Sequence, residues 1–448
     1  MAIRKVMAII GGGESGIGAA LLGASNGYDV FVSDDGKIAD AYKEDLVKNG
    51  IAFEEEKQSV ERILKADIVI KSPGVPNDNA IVKIIELNQI ELISEIELAY
   101  RYKGKSKIIA ITGSNGKSTT TALIYHICKM AGMNCAMVGN IGFSFARQVA
   151  TDPKDLYVVE VSSFQLDNIK MFKPNISILL NITEDHLDRY AYNFSNYVRS
   201  KFRIIENQDD NDVFIYNSDD EVITKQINNF SINTNQLPFT MNKPLPQGAY
   251  VMNNYVYLKW KLEETIMSVD DFTLKGKHNQ CNTMAAGLAA QVTGIRDEYI
   301  REAVKSFTGL EHRMEHVANI RGVEFINDSK ATNVNSTWYA LENMSKPVIL
   351  IMGGVDKGND YSTIRELVKQ KVKAIICMGT DNRKLHEAFG HDVELLVNTA
   401  SAVDAVQSAF HFANKGDVVL LSPACASFDL FKNYEDRGQQ FKTAVKNL

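Results

Sequence analysis

The chain reads as an α/β protein of three domains, each built on a mainly parallel sheet covered by helices. Three observations predict this. Strand-like and helix-like apolar patterns alternate through three successive segments, as parallel sheets with crossover helices require. Two glycine-rich turns, at 11–18 and 113–119, each follow an apolar strand and open a helix. The length of 448 residues suits about three domains at roughly 150 residues each.

The first domain, taken as residues 1–100, opens with a strand at 6–10, the first glycine turn and a helix through Leu21 and Leu22. Strands follow at 30–33 and 68–71, the latter running into the stiff turn Ser72-Pro73-Gly74-Val75-Pro76. The second domain, 101–310, starts on the apolar run 107–112. Beyond its glycine turn, Leu123, Ile127, Met130 and Ala131 recur at helical spacing and Gly132 stops the helix. Further strands are expected at 157–161 and 176–183, a hairpin at 249–262 and a helix from His278. The polar, Asn- and Pro-containing stretch 225–248 reads as an irregular surface connection. The third domain, 311–448, begins near His312-Arg313-Met314-Glu315, with strands at 323–327, 348–353, 374–379 and 418–422. Rossmann-like sheets are expected at the two ends and a phosphate-loop ATPase-like sheet in the middle.

Composition narrows the class. Apolar content of 45%, 23% charge and a net charge of −6 describe a globular chain with no general attraction to nucleic acid or acidic membranes. No apolar run approaches the ~18 residues of a membrane span. The five cysteines never form a C-x-x-C pair, so free thiols in a reducing compartment are expected, and with them a cytoplasmic protein.

The second glycine turn carries the clearest chemistry. In Gly113-Ser114-Asn115-Gly116-Lys117-Ser118-Thr119, backbone N–H groups and the positive end of a helix converge on one point, where phosphate binds. Lys117 would reach the terminal phosphates of ATP, and Ser118 a magnesium ion. Ile111 stands where the usual form of this loop has its first glycine. Glu160, closing a buried strand, is placed to be a second magnesium ligand. In Thr183-Glu184-Asp185-His186-Leu187-Asp188-Arg189-Tyr190, three acids surround His186, a second metal position. Lys201 lies on an amphipathic helix and by that pattern alone reads as a surface lysine. The first turn contains G-x-G-x-x-G, and Asp34 and Asp35 follow about 20 residues on, where a ribose-binding acid belongs. Taken alone, that segment fits either NAD or another diphosphate such as a UDP-sugar.

Taken together, these residues resemble the Mur ligases, the amide ligases of bacterial cell-wall synthesis. The resemblance runs from the N-terminal glycine turn through Ser72-Pro73-Gly74, Gly113–Thr119 and Gly139-Asn140-Ile141-Gly142 to Glu160-Val161-Ser162-Ser163-Phe164-Gln165. It continues over Thr183 to Tyr190, Lys201, His278-Asn279 with Asn282, and His312-Arg313. Asn327-Asp328-Ser329-Lys330-Ala331-Thr332-Asn333 and Ser422-Pro423-Ala424-Cys425-Ala426-Ser427 point within the family to its D-glutamate-adding branch. The resemblance implies ATP, UDP-N-acetylmuramoyl-L-alanine and D-glutamate as substrates, and a monomer. It gives Ser118 and Glu160 one Mg²⁺, and a second to His186 and Lys201, the lysine carrying a CO₂-derived carbamate. Lys117, His186 and Lys201 would be catalytic. Asn282, Arg313 and Asp328 would join the loop in holding the adenine nucleotide. Ser15, Ser72, Pro73, Gly74 and Asn140 would face the UDP-linked substrate. Lys330, Thr332, Lys357, Ser427 and Phe428 would surround D-glutamate, with Tyr434 nearby. Glu14, Ser15, Asp34 and Asp35 depart from residues some members carry at the uridine side, as do Phe428 and Tyr434 at the glutamate side. The alternatives are another ligase of the same scaffold and, on the first glycine turn alone, an NAD-linked oxidoreductase.

Overall fold

A computed structural model describes residues 4–448 except 228, 230, 231, 343 and 357. The chain forms two compact units, one ending at Phe307 and the other spanning Thr308–Leu448.

The first unit holds two sheets. Strands β1 (Val6–Ile10), β2 (Asp29–Ser33), β3 (Ala52–Glu54), β4 (Ile68–Lys71) and β5 (Glu91–Ser94) form a parallel sheet of order β3-β2-β1-β4-β5. The order reverses direction between β1 and β4, and such a switch point opens a crevice at the carboxyl ends of the two strands. The glycine turn leaves β1 there, and the Ser72-Pro73-Gly74 turn leaves β4. At the heart of the second sheet are β6 (Lys107–Thr112), β7 (Cys135–Gly139), β8 (Leu156–Glu160) and β9 (Ile176–Leu179). It extends through β10 (Val213–Asn217), β11 (Asn235–Thr240), β12 (Gly248–Met252), β13 (Tyr255–Trp260) and β14 (Glu263–Ser268). Its order is β14-β13-β12-β11-β10-β9-β6-β8-β7, with only the last two steps, β12 to β14, antiparallel. Strand β6 lies between β8 and β9 with every residue after Lys107 buried. That central place is why its loop is rigidly framed.

Two expectations change here. Residues 235–240, read as irregular, form β11, paired along its length with β10. Leu237 and Phe239 are buried while Asn235 and Gln236 are exposed, so the apolar signal was only two residues long. Pro238, which lacks an N–H, hid it further. Strand β9 stops at Leu179 rather than reaching 183, because Asn181 and Thr183 are engaged by the phosphate loop.

The two sheets of the first unit share an apolar core and polar struts. Glu14 accepts from the Ser144 N–H (3.0 Å) and from Arg147 Nε (2.9 Å). Glu95 accepts from the Ala146 N–H (2.5 Å), and Glu97 Oε2 takes the N–H groups of Lys170, Met171 and Phe172. Glu14 is therefore committed to the helix Phe145–Thr151 rather than turned to the crevice.

The second unit contains β15 (Glu315–Ile320), β16 (Val323–Asn327), β17 (Val348–Met352), β18 (Val372–Met378), β19 (Leu395–Thr399) and β20 (Val418–Leu421) in the order β15-β16-β20-β17-β18-β19. Only the β15–β16 pair is antiparallel. Gly353 and Gly354, at φ +125° and +130°, end β17 one residue before the expected 353.

Candidate active site

The phosphate loop is built as its sequence suggests. Gly113 and Gly116 take φ of +150° and +84°, values that a side chain disfavours, and the helix Lys117–Met130 starts directly after Gly116. A β-carbon on Gly116 would lie 2.4 Å from Asn282 Oδ1, which brings Asn282, on the helix Lys277–Val292, against the loop. Asn181, to which no role was given from sequence, pins the loop from the other side. Its Oδ1 accepts from the Asn115 N–H (2.8 Å) and its Nδ2 donates to Asn115 O (3.0 Å). Ser114 Oγ donates to Thr183 O (2.9 Å) and lies 3.0 Å from the Tyr197 hydroxyl. Lys117 Nζ donates to Gly113 O and Ser114 O, both at 2.9 Å, so its charge lies over the loop. Ser118 and Thr119 are buried in the first turn of the helix.

Glu160 ends β8 beside Ile111 of β6 and is buried. Asn140 holds it, with Nδ2 2.9 Å from Glu160 Oε1 and its N–H 2.9 Å from Glu160 O. Among the described residues no three His, Cys, Asp or Glu side chains cluster closely enough to hold a metal by themselves. Magnesium at a nucleotide phosphate needs fewer, because one or two protein oxygens plus phosphate and water complete its shell. The Ser118 hydroxyl and the Glu160 carboxylate fit that requirement.

Lys201 overturns its surface reading. It is 2% exposed, and Nζ donates to Gly113 O at 2.8 Å. Burial and the neighbouring Lys117 charge push its pKa well below the usual lysine value, against the pull of Asp185. His186, in a left-handed conformation (φ +53°), lies edge-on to Phe164 at 5.1 Å. Asp185 Oδ2 is 3.6 Å from its Nε2, while Glu184 and Asp188 are exposed. The three acids do not close around the histidine as expected.

At the β1/β4 crevice, Ser72 Oγ donates to Gly11 O (2.9 Å), so the two turns brace each other. Ser15 is half-buried in the first helical turn, Pro73 half-buried and Gly74 exposed. Asp34 spends its carboxylate on backbone, accepting from the Gly12 N–H of the first glycine turn (2.5 Å) and from the Gly36 N–H of its own turn (2.7 Å). Asp35 is exposed.

In the second unit, Arg313 and Asp328 come together. Asp328 is buried and accepts from Ser422 Oγ (3.0 Å) and the Met314 N–H (3.2 Å). Burial raises its pKa to about 7 against the opposing charge of Arg313. Lys330 Nζ stands 5.6 Å from the Tyr434 ring centre, Thr332 is half-buried, Ser427 is buried and Phe428 is 70% exposed. Lys357 lies outside the described residues. Arg437, missed in the sequence, is buried and knots the loops after β16, β17 and β20 together. It donates to Ser329 Oγ (3.0 Å), Ser329 O (2.8 Å), Cys425 O (3.1 Å) and Gly353 O (3.5 Å). The lone arginine on a C-terminal helix gave no signal of this.

Comparison with known proteins follows the same division. Residues 7–81 match the MurD N-terminal domain, 111–290 the Mur ligase middle domain, and 312–425 the Mur ligase, glutamate ligase domain. The UDP-N-acetylmuramoylalanine–D-glutamate ligase of Christiangramia forsetii is 51% identical over 99% of this chain and 100% of its own length. The chain belongs to the Mur ligase family. The ligase of the same name from Bacteroides fragilis is 49% identical over 99% of this chain and all of that one. Two solved structures share the Mur ligase fold over 99% of this chain and 100% of their own. They are UDP-N-acetylmuramate-alanine ligase from Thermotoga maritima (TM-score 0.64, 17% identity) and a pseudomurein peptide ligase type C from Methanothermus fervidus (TM-score 0.62, 22% identity). The first glycine turn thus belongs to a Mur ligase N-terminal domain, and the NAD reading falls away.

Proposed function

We propose that this chain is an ATP-dependent amide ligase that adds D-glutamate to UDP-N-acetylmuramoyl-L-alanine, a step of peptidoglycan synthesis. The observation that carries this is the full-length 51% identity to a D-glutamate ligase. The phosphate loop with Lys117, Asn282, Asn140 and Glu160 assembled around it supplies the chemistry. The crevice between β1 and β4, with Ser15, Ser72, Pro73 and Gly74, takes the UDP-linked substrate. The second sheet takes ATP. Within the second unit we assign Arg313 and Asp328 to nucleotide binding, and Lys330, Thr332, Lys357, Ser427 and Phe428 to D-glutamate. No helix of the described residues is long and apolar enough to cross a membrane, and we place the enzyme in the cytoplasm, as a monomer.

In this mechanism a substrate carboxylate oxygen attacks the γ-phosphorus of ATP. ADP leaves, and an acyl phosphate remains. The D-glutamate amine then attacks the acyl carbon, loses a proton and expels inorganic phosphate, leaving the amide. Lys117 and the loop N–H groups stabilise charge on the transferring phosphoryl group, and the framed loop holds reactants in line. Ser118 and Glu160 would hold one magnesium ion, and His186 with a carbamylated Lys201 a second; when bound, such ions would supply further neutralisation of that charge. Lys201 fits a carbamate. Burial and the Lys117 charge favour its neutral amine; a neutral amine adds CO₂ and releases a proton, and the resulting anion would face Lys117.

Phosphate release from ATP, measured with UDP-N-acetylmuramoyl-L-alanine and a panel of amino acids, tests the reading. Release that requires both substrates and prefers D-glutamate over L-glutamate, L-alanine and diaminopimelate is expected. Preference for another amino acid would keep the chemistry and overturn the specificity.

A further inference from the structure

The mechanism leaves unused a continuous set of contacts between the crevice turn and the His186 loop. Arg189, three residues beyond His186, donates from Nη2 to Pro73 O (3.1 Å) and Val75 O (3.3 Å). Its Cζ lies over the Phe164 ring, 4.3 Å from the centre. The same ring packs edge-on against His186 at 5.1 Å and stacks on Tyr190 at 6.0 Å. Tyr190 in turn packs on Tyr197 at 5.4 Å, whose hydroxyl lies 3.0 Å from Ser114 Oγ in the phosphate loop. The links are a forked donor on carbonyls, a cation over a ring, and ring upon ring.

We propose that Arg189 and Phe164 are positioning residues. They form a strut that holds the 72–76 turn and His186 in one fixed relation, so that the UDP-linked substrate is seated in register with the phosphoryl-transfer side. This rests on the proposed function. Arg189 is not needed to keep the turn folded, because Lys71 Nζ also donates to Val75 O (3.0 Å) and Ser72 bonds to Gly11. What Arg189 adds is the link. Lysine is not equivalent, since a compact ammonium cannot both sit over Phe164 and reach two carbonyls as the extended guanidinium does.

The test uses R189M, R189K, F164L, the R189M/F164L double variant and H186A. Calorimetry with UDP-N-acetylmuramoyl-L-alanine in the absence of ATP and metal is read alongside kcat and the KM of each substrate. In R189M, affinity for the UDP-linked substrate should fall about tenfold, because the 72–76 turn loses the link that fixes its position relative to the His186 loop. Its kcat should fall too, while the KM for ATP holds within about twofold, because Asn181 fixes the phosphate loop independently. R189K should recover only part of either loss. F164L should lower kcat with little effect on substrate affinity, and the double variant should have the kcat of R189M alone, as two parts of one strut require. Multiplying losses, full rescue by lysine or unchanged affinity in R189M would each overturn the strut. If H186A is inactive in that case, the proposed function stands. Full turnover in H186A would remove the assignment of that loop, and the strut with it.

Discussion

Lys201 shows at the residue scale how far a side chain's chemistry depends on where its helix docks. On the helix Phe194–Phe202 it sits among Tyr197, Val198, Ser200 and Phe202, all buried. That wide burial was invisible in a pattern that could equally place the lysine at the surface. Once docked, its ammonium loses water and faces Lys117, so the neutral amine is favoured. With ¹³C-bicarbonate, wild type should show a carbamate carbon resonance that K201A lacks, and K201A should be inactive but partly rescued by short carboxylates. An active K201A with no such resonance lost would end the assignment. The place of Lys117 in the loop was legible for the opposite reason: it follows from local spacing between strand and helix. K117A should lower kcat by about 10²–10³-fold while moving the unfolding midpoint little, since a half-buried loop cation contributes little to an apolar core.

At the scale of elements, the strands and loops set by local periodicity were readable, and those set by partners were not. β6 and its loop follow directly from an apolar run and a glycine turn. β11 exists because β10 offers an edge and Leu237 and Phe239 find a core, neither of which a six-residue window reveals. Asn181 and Arg437 were missed likewise, because each acts on backbone far away in sequence. Arg437 lets this be measured. R437M would leave Ser329 O and Cys425 O buried without their donor, at a cost of about 3 kcal/mol or more. Urea unfolding followed in the second unit should show that loss. The KM for D-glutamate should rise too, because Cys425 and Ser427 share a loop. An unchanged midpoint would mean that the three loops are held by something else.

For the whole molecule, stability should carry a pH signature from the junction between the two sheets of the first unit. Glu95 there is buried with Oε1 on the Ala146 N–H, and burial pushes its pKa from 4.5 up to about 8. The folded state therefore keeps a proton that the unfolded chain has released. Its contribution is fully present below about pH 4.5 and is lost as pH rises through about 8. Relative to E95Q, wild type should lose roughly 1.4 kcal/mol of unfolding free energy per pH unit between these limits. Parallel curves would show that Glu95 titrates normally. The proposed mechanism rests on one chemical event, transfer of the γ-phosphoryl group to a substrate carboxylate. The most direct test supplies UDP-N-acetylmuramoyl-L-alanine with ¹⁸O in its terminal carboxylate, together with ATP and D-glutamate, and weighs the inorganic phosphate by mass spectrometry. One ¹⁸O atom per phosphate released is the predicted result. Unlabelled phosphate would mean that water, not the carboxylate, receives the phosphoryl group, and would contradict the account.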